Sequence, residues 1–310
     1  MMICFQFFTI IFCFAFKSIL HSNDISTVTE QVFEKPLVVI IPSYNNIQWY
    51  KNNLDSVLTQ KYDNYRVIYI NDASNDGLKD ALEIYLKEKS EIDYQILDFD
   101  TDFSSSIPTV TQAFIDLVNH EKHFFTLVNN LNRCGAMANH YRGVLSCNDD
   151  EIVVQLDGDD WLYDDQVLAD LNTIYSSEKV WLTHGSFIEY PRGESHWSIP
   201  VPDDVIKRNA FREYRCPSHL RTFYSWLFKK IELEDFLYDG QFVPMTCDMA
   251  IMFPMLEMAG ERHKFISRKI YVYNSFNPIN DNKTNALLQQ MLDWHLRNNP
   301  RYQRLKEENL

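Results

Sequence analysis

Leu37, Val38, Val39, Ile40 and Ile41 form an unbroken apolar run that stops at Pro42, and no other stretch constrains the fold as tightly. A strand with no polar side has no solvent face, so it must lie inside a sheet covered on both sides. Ile47, Tyr50, Leu54 and Leu58 then recur at helical spacing, a second strand over residues 65–70 runs into the polar stretch 71–77, and residues 78–86 again read as a helix. This β-α-β-α order, with a buried first strand, is satisfied most economically by a right-handed, doubly wound, mainly parallel α/β sheet flanked by helices. Ligands of such sheets collect beyond the carboxyl ends of the strands. Further strands are expected over residues 94–97, 124–128, 151–156 and 181–190, and helices over 110–118, 135–145, 167–175, 218–230 and 248–258. Residues 100–120 read as an insertion, and beyond residue 180 a smaller mixed subregion is expected.

The strand over residues 151–156 ends in Asp157, Gly158, Asp159 and Asp160. Carboxylates this close repel one another unless a cation joins them, and hard oxygen donors suit Mg²⁺ or Mn²⁺ rather than zinc. Gly158 lets the backbone turn tightly between the first two acids. An Asp-x-Asp at a strand end is thus suited to hold a divalent ion against a nucleotide diphosphate.

Lys plus Arg number 29 against 43 for Asp plus Glu, a net charge of -14, which excludes a nucleic-acid binder relying on phosphate attraction. An anionic ligand would need a metal or a few placed arginines. Residues 3–16 are almost wholly apolar and, within residues 1–22, read as a signal peptide or a signal anchor. The only nearby base, Lys17, follows the run. The chain is therefore expected to be membrane-associated or targeted to the secretory pathway, with a cytoplasmic-face catalytic domain if the segment is an uncleaved anchor. A linker over 23–34, a catalytic domain over 35–280 and a helical tail over 281–310 complete the expected organisation. Cys134, Cys147, Cys216 and Cys247 lack CxxC spacing, so they read as small buried residues or, in an oxidising compartment, as disulfide partners.

Pro42, Ser43, Tyr44 and Asn45 after the first strand, Asn71 to Gly77 after the second, and the Asp157–Asp160 cluster after a later one all fall at one sheet edge. Together, in this order, they resemble family 2 glycosyltransferases of the GT-A fold, closely over residues 36–175 and loosely beyond. The resemblance implies that Pro42, Ser43, Tyr44 and Asn45 lie along the nucleotide, with Tyr44 near the base, and that Asp72 accepts hydrogen bonds from the base. It implies further that Asp157, with Gly158 in the same turn, contacts ribose or metal and that Asp159 ligates Mn²⁺ or Mg²⁺. Asp160 is left as a cap or a supporting partner, and Asp76 as the better cap for the second helix. Many relatives carry an Arg-Asn pair where this chain has His140 and Tyr141, which makes Arg133 a candidate to contact diphosphate or base. Gly135, heading a helix, suits close approach of backbone N–H groups to an anion.

The Gln-x-x-Arg-Trp signature of processive synthases is missing, which implies one sugar per encounter. Where relatives often place Glu-Asp at a helix start, this chain has Cys247 and Asp248, making Asp248 the candidate base, with Glu257 or His219 next in line. His184, His219 and Arg221 are candidates for the acceptor or diphosphate side. The implied activity is a non-processive, inverting, metal-dependent transfer from a nucleotide diphosphate donor, UDP-linked, to a hydroxyl of a glycan, lipid or protein. Two rivals are a nucleotidyltransferase acting on a sugar phosphate, which should show a Gly-rich basic loop after strand one, and an inactive glycan-binding protein, which would not need the intact acidic cluster.

Overall fold

The computed structural model describes residues 34–101, 104–194, 198–279 and 285–306. The apolar run at 3–16 and nearly all of the expected linker lie outside the described residues. Among the described residues no helix is long and apolar enough to cross a membrane.

The first half follows the expected alternation: β1 (Leu37–Ser43), α1 (Tyr50–Leu58), β2 (Tyr65–Asn71), α2 (Leu78–Glu88), β3 (Tyr94–Phe99), α3 (Ile107–Asn119), β4 (Phe125–Asn130), α4 (Ala136–Leu145) and β5 (Ile152–Gln155). These five strands pair in parallel in the order β3-β4-β2-β1-β5. All seven residues of β1 are buried, as its apolar run requires. Residues 100–120 are not an insertion: α3 is the crossover joining two neighbouring parallel strands. Its start is fixed locally, because Ser106 Oγ accepts from Thr109 N and Pro108 occupies the first turn.

The second half adds β6 (Trp161–Leu162), α5 (Val167–Ser177), β7 (Leu182–Tyr190), β8 (Gly193–Glu194), α6 (Asp203–Lys207), β9 (Arg221–Tyr224), α7 (Ser225–Phe228), β10 (Leu237–Tyr238), β11 (Gln241–Phe242), α8 (Cys247–Ala259), β12 (His263–Asn274) and α9 (Ala286–Asn298). The sheet continues β5-β9-β7-β12-β6, and β9 runs antiparallel to both of its neighbours. The helix expected over 218–230 is therefore β9 followed by the single turn of α7. Tertiary pairing overrides the local pattern, since without β9 the edge of β5 would leave buried backbone groups unpaired.

Helix α8 is buried on every side from Met249 to Ala259, as suits a helix apolar all round. Its one interior acid, Glu257, is fully buried and held by Arg212 through two hydrogen bonds of 2.8 and 3.0 Å. Tyr302 N donates to the same carboxylate, and Arg212 Nη1 donates to Leu296 O. Two consequences follow from this pair. Glu257 is structural and cannot serve as the base, and the segment after residue 285 packs as part of the unit rather than as a separate tail. Arg212→Ala strands a buried carboxylate and should lower the unfolding free energy by about 3–5 kcal/mol. A loss under about 1 kcal/mol in urea titration would contradict that role.

Candidate active site

Because β1, β2, β4 and β5 are parallel, their carboxyl ends share one edge, and there a cleft of ≈ 780 Å³ opens. Pro42, Ser43, Tyr44, Asp72, Arg133, Gly135, Asp157, Gly158, Asp159 and Asp248 all line it.

The loop after β1 is fastened from below. Gly158 N donates to Pro42 O at 3.1 Å, and a Cβ on Gly158 would stand 2.4 Å from both Cβ and Oγ of Ser43. Glycine is thus required here for close approach, so that the acidic turn lies against the loop. Asn45, expected along the nucleotide, is absent from the cleft lining. Its backbone is left-handed, its side chain accepts from Asn75 N at 2.9 Å, and its own N–H donates to Ser74 Oγ at 3.0 Å. It ties the first two strand-end loops together. Asp76 accepts from Leu78 N at the head of α2 and from Ile47 N.

Asp72 reaches the cleft wall, yet its carboxylate already accepts from Cys134 N and Gly135 N, both at 2.8 Å, and from Asn130 Nδ2 at 2.9 Å. The Gly135 amide expected to face an anion is therefore engaged by Asp72. The pairing instead shapes the turn that carries Arg133, whose guanidinium stacks 3.8 Å from the centre of the Tyr44 ring. A cation on an aromatic face is a flat surface suited to a nucleobase or its phosphates.

The acidic turn divides its labour. Asp160 is buried and accepts from Tyr271 Oη and Asn274 N, each at 2.6 Å, anchoring the turn to β12. Burial, reinforced by Asp159 and Asp157, holds its carboxyl well above the usual range. Asp159 is half-buried and accepts from Asn277 Nδ2 at 2.7 Å. Asp157, also half-buried, has its carboxyl raised by desolvation in the cleft floor; Arg221 opposes this and Asp248 adds to it.

Across from this turn in sequence, Asp248 stands in the first turn of α8 with Arg221 Nη2 3.4 Å from its Oδ2. Thr246, not Asp248, occupies the cap position. Burial works against the Arg221 charge, but Asp248, Cys216 and Asp157 more than offset it. His219 Nδ1 lies 3.9 Å from Asp157 Oδ2, its ring stacked on Tyr271 at 4.6 Å. Burial, helped by Arg221, keeps that imidazole well below its ordinary pKa. In the cleft lining, His140 Nδ1, Gln155 Oε1 and Ser218 Oγ are buried with no hydrogen-bond partner among the described residues, as in a site built to receive a polar ligand.

His219 and Arg221 thus reach the cleft and His184 does not. It lies fully buried among His263 and Phe265 in the mixed half of the sheet. Sequence reasoning missed the contributions of Tyr271, Asn274 and Asn277, which belong to no recognisable motif. The four cysteines within the described residues are free.

The match to known sequences falls on the first three strands. Residues 38–106 match the family described as Glycosyl transferase family 2. The resemblance to this family is thus carried by β1 to β3. The chain is similar to an "Uncharacterized glycosyltransferase" of Rickettsia bellii, 41% identical over 51 residues covering 16% of this chain and 7% of the relative. It also resembles "Glycosyltransferase GlyA" of Streptococcus pneumoniae, 38% identical over 61 residues, 20% of this chain and 8% of the relative. The matches thus span a small part of those relatives' lengths. Among solved structures, TarS 1-349 of S. aureus has a TM-score of 0.52 at 15% identity, covering 77% of this chain and 60% of that one. The chain therefore shares the GT-A fold of TarS.

Burial lowers the His184 pKa to about 3, with His263 and Arg221 adding to the effect. The unfolded chain takes up a proton near pH 6.5 that the native protein refuses, so this histidine favours folding above pH 6.5 and opposes it progressively down to about pH 3. His184→Phe should reduce the pH slope of the urea-unfolding free energy between about pH 6 and 4.5 by about 1.4 kcal/mol per unit. Equal slopes in the two proteins would refute the burial of an uncharged ring.

Proposed function

We propose that this chain transfers one sugar at a time from a UDP-linked donor to an acceptor hydroxyl, with inversion at the anomeric carbon. The observation that carries this reading is that the Asp157–Asp159 turn after β5 and the Asp248–Arg221 pair at the start of α8 line one cleft. TarS has been solved with UDP and with UDP-GlcNAc, which makes UDP the first nucleotide to test.

The donor set fits a divalent ion. One ligand atom each from Asp157, Asp160 and His219 lies within 4.8 Å of the others. Both oxygens of Asp160 are already engaged by Tyr271 and Asn274, so the ion is assigned to Asp157 with His219 beside it at 3.9 Å, and to Asp159 on the Asp-x-Asp resemblance. Oxygen donors joined by an imidazole suit Mn²⁺ better than Mg²⁺, which prefers oxygen and water. A bound ion would offset the charge that builds on the departing diphosphate.

The remaining work falls to the chain's own groups. Tyr44 and Arg133 form the surface against which the nucleotide rests. Asn277 fixes the orientation of Asp159. Asp248 takes the proton from the acceptor hydroxyl as its oxygen bonds to the anomeric carbon and the bond to the diphosphate breaks. Arg221 contacts one oxygen of Asp248 and leaves the other to the acceptor. The apolar run at 3–16 would keep the enzyme at a membrane or direct it to the secretory pathway.

A donor screen tests this reading by measuring nucleotide release from a panel of UDP- and GDP-sugars, with water taking the place of the acceptor in slow hydrolysis. Asp248→Asn should slow release about a hundredfold or more at unchanged UDP affinity and melting temperature. Near-normal release would place the base elsewhere. Asp159→Ala should abolish release and leave the circular-dichroism spectrum intact; full activity of this variant at saturating Mn²⁺ would sink its role as a ligand.

A further inference from the structure

Four aromatic side chains meet beside the cleft. Trp49 precedes α1, Trp161 lies in β6, Tyr190 ends β7 and Phe276 follows β12. Trp49 stands edge-on to Tyr190 at 6.1 Å and to Phe276 at 6.3 Å, and Trp161 stands edge-on to Tyr190 at 5.3 Å. Phe276 and Tyr190 are the open members, 63% and 40% exposed. Isolated exposed aromatics are ordinary, but two rings braced by two tryptophans make a fixed surface.

The backbone beneath them is equally fixed. Ser275 donates to Tyr190 O through both its N–H, at 3.0 Å, and its hydroxyl, at 2.9 Å. The same two segments supply cleft-lining polar groups, Glu189 and Arg192 beside Tyr190, and Ser275 and Asn277 on either side of Phe276. Asn277 is the residue that holds the Asp159 carboxylate. Adjacent Cα atoms are about 3.8 Å apart, so Phe276 stands one residue from the group that orients the acidic turn.

We propose that Trp49, Tyr190 and Phe276 form a subsite for a pyranose ring of the acceptor, so that the acceptor is a glycan. This rests on the reading of the cleft as a sugar-transfer site and narrows it. The C–H bonds on one face of a pyranose carry partial positive charge and meet the negative face of an aromatic ring, while its hydroxyls reach outward to planar polar groups. Aromatic rings beside Glu, Arg, Ser and Asn match both demands. An acyl chain would call for a broad aliphatic lip, and on the segment that carries Phe276 the aliphatic side chain lining the cleft is Ile279, 42% exposed.

The test applies the full chain, with UDP and Mn²⁺ present, to an array of defined pyranose oligosaccharides, and then titrates the best binder by calorimetry. Wild type should bind at least one oligosaccharide, Phe276→Ala should weaken that binding tenfold or more, and Phe276→Trp should restore it. UDP affinity should be the same in all three proteins. Absence of any bound oligosaccharide, binding indifferent to Phe276→Ala, or Phe276-dependent capture of phosphatidylglycerol vesicles or of an unglycosylated peptide library instead would overturn the proposal. Failure of wild type to bind UDP would strike the donor reading, and Phe276-dependent glycan binding in that case would leave the subsite standing.

Discussion

The site depends on the contact between Gly158 and Ser43. The turn after β5 can lie against the loop after β1 only because position 158 has no side chain, a Cβ there overlapping Ser43 at 2.4 Å. That contact, with the hydrogen bond from Gly158 N to Pro42 O, brings the acidic turn beside the surface formed by Tyr44 and Arg133. The turn is held from its other side by Asp160, whose buried carboxylate is satisfied by Tyr271 and Asn274. One acid of the cluster is thus used to build the site, and two remain for a ligand.

The cleft manages its charge with few cations. In a chain of net charge -14, Arg221 is the buried guanidinium between the two acidic groups, paired with Asp248 and close enough to Asp157 for each to shift the other. Burial, assisted by Arg221, keeps His219 and His140 neutral, the latter down to about 3. A neutral imidazole can offer a lone pair where a charged one cannot. Burial therefore sets the titration of these groups, and Arg221 from β9 opposes it at Asp157 and adds to it at the two histidines.

Much of the parallel half of the sheet was legible in the sequence, because β1, β2 and β5 are apolar runs ending in turn-forming polar clusters, and their parallel pairing forces those ends together. The mixed half was much less so. Strand β12 escaped notice because Lys264, Arg268 and Lys269 interrupt its alternation, and two register shifts near Lys269 show why a simple period of two fails there. Strand β9 read as a helix because its strand character comes from its neighbours β5 and β7. Asp72 and Gly135 were individually visible, yet that they satisfy each other could not be read from residues 63 positions apart. The reason for Gly158 also changed, from turning the backbone to admitting Ser43.

Calorimetric titration of UDP into the full chain, with and without Mn²⁺, most directly tests whether the strand-end cleft is a nucleotide-sugar site. Binding should tighten markedly when Mn²⁺ is present, because Asp157 and Asp159 repel a bare diphosphate. No detectable heat at millimolar UDP with Mn²⁺, or an affinity indifferent to the metal, would contradict it.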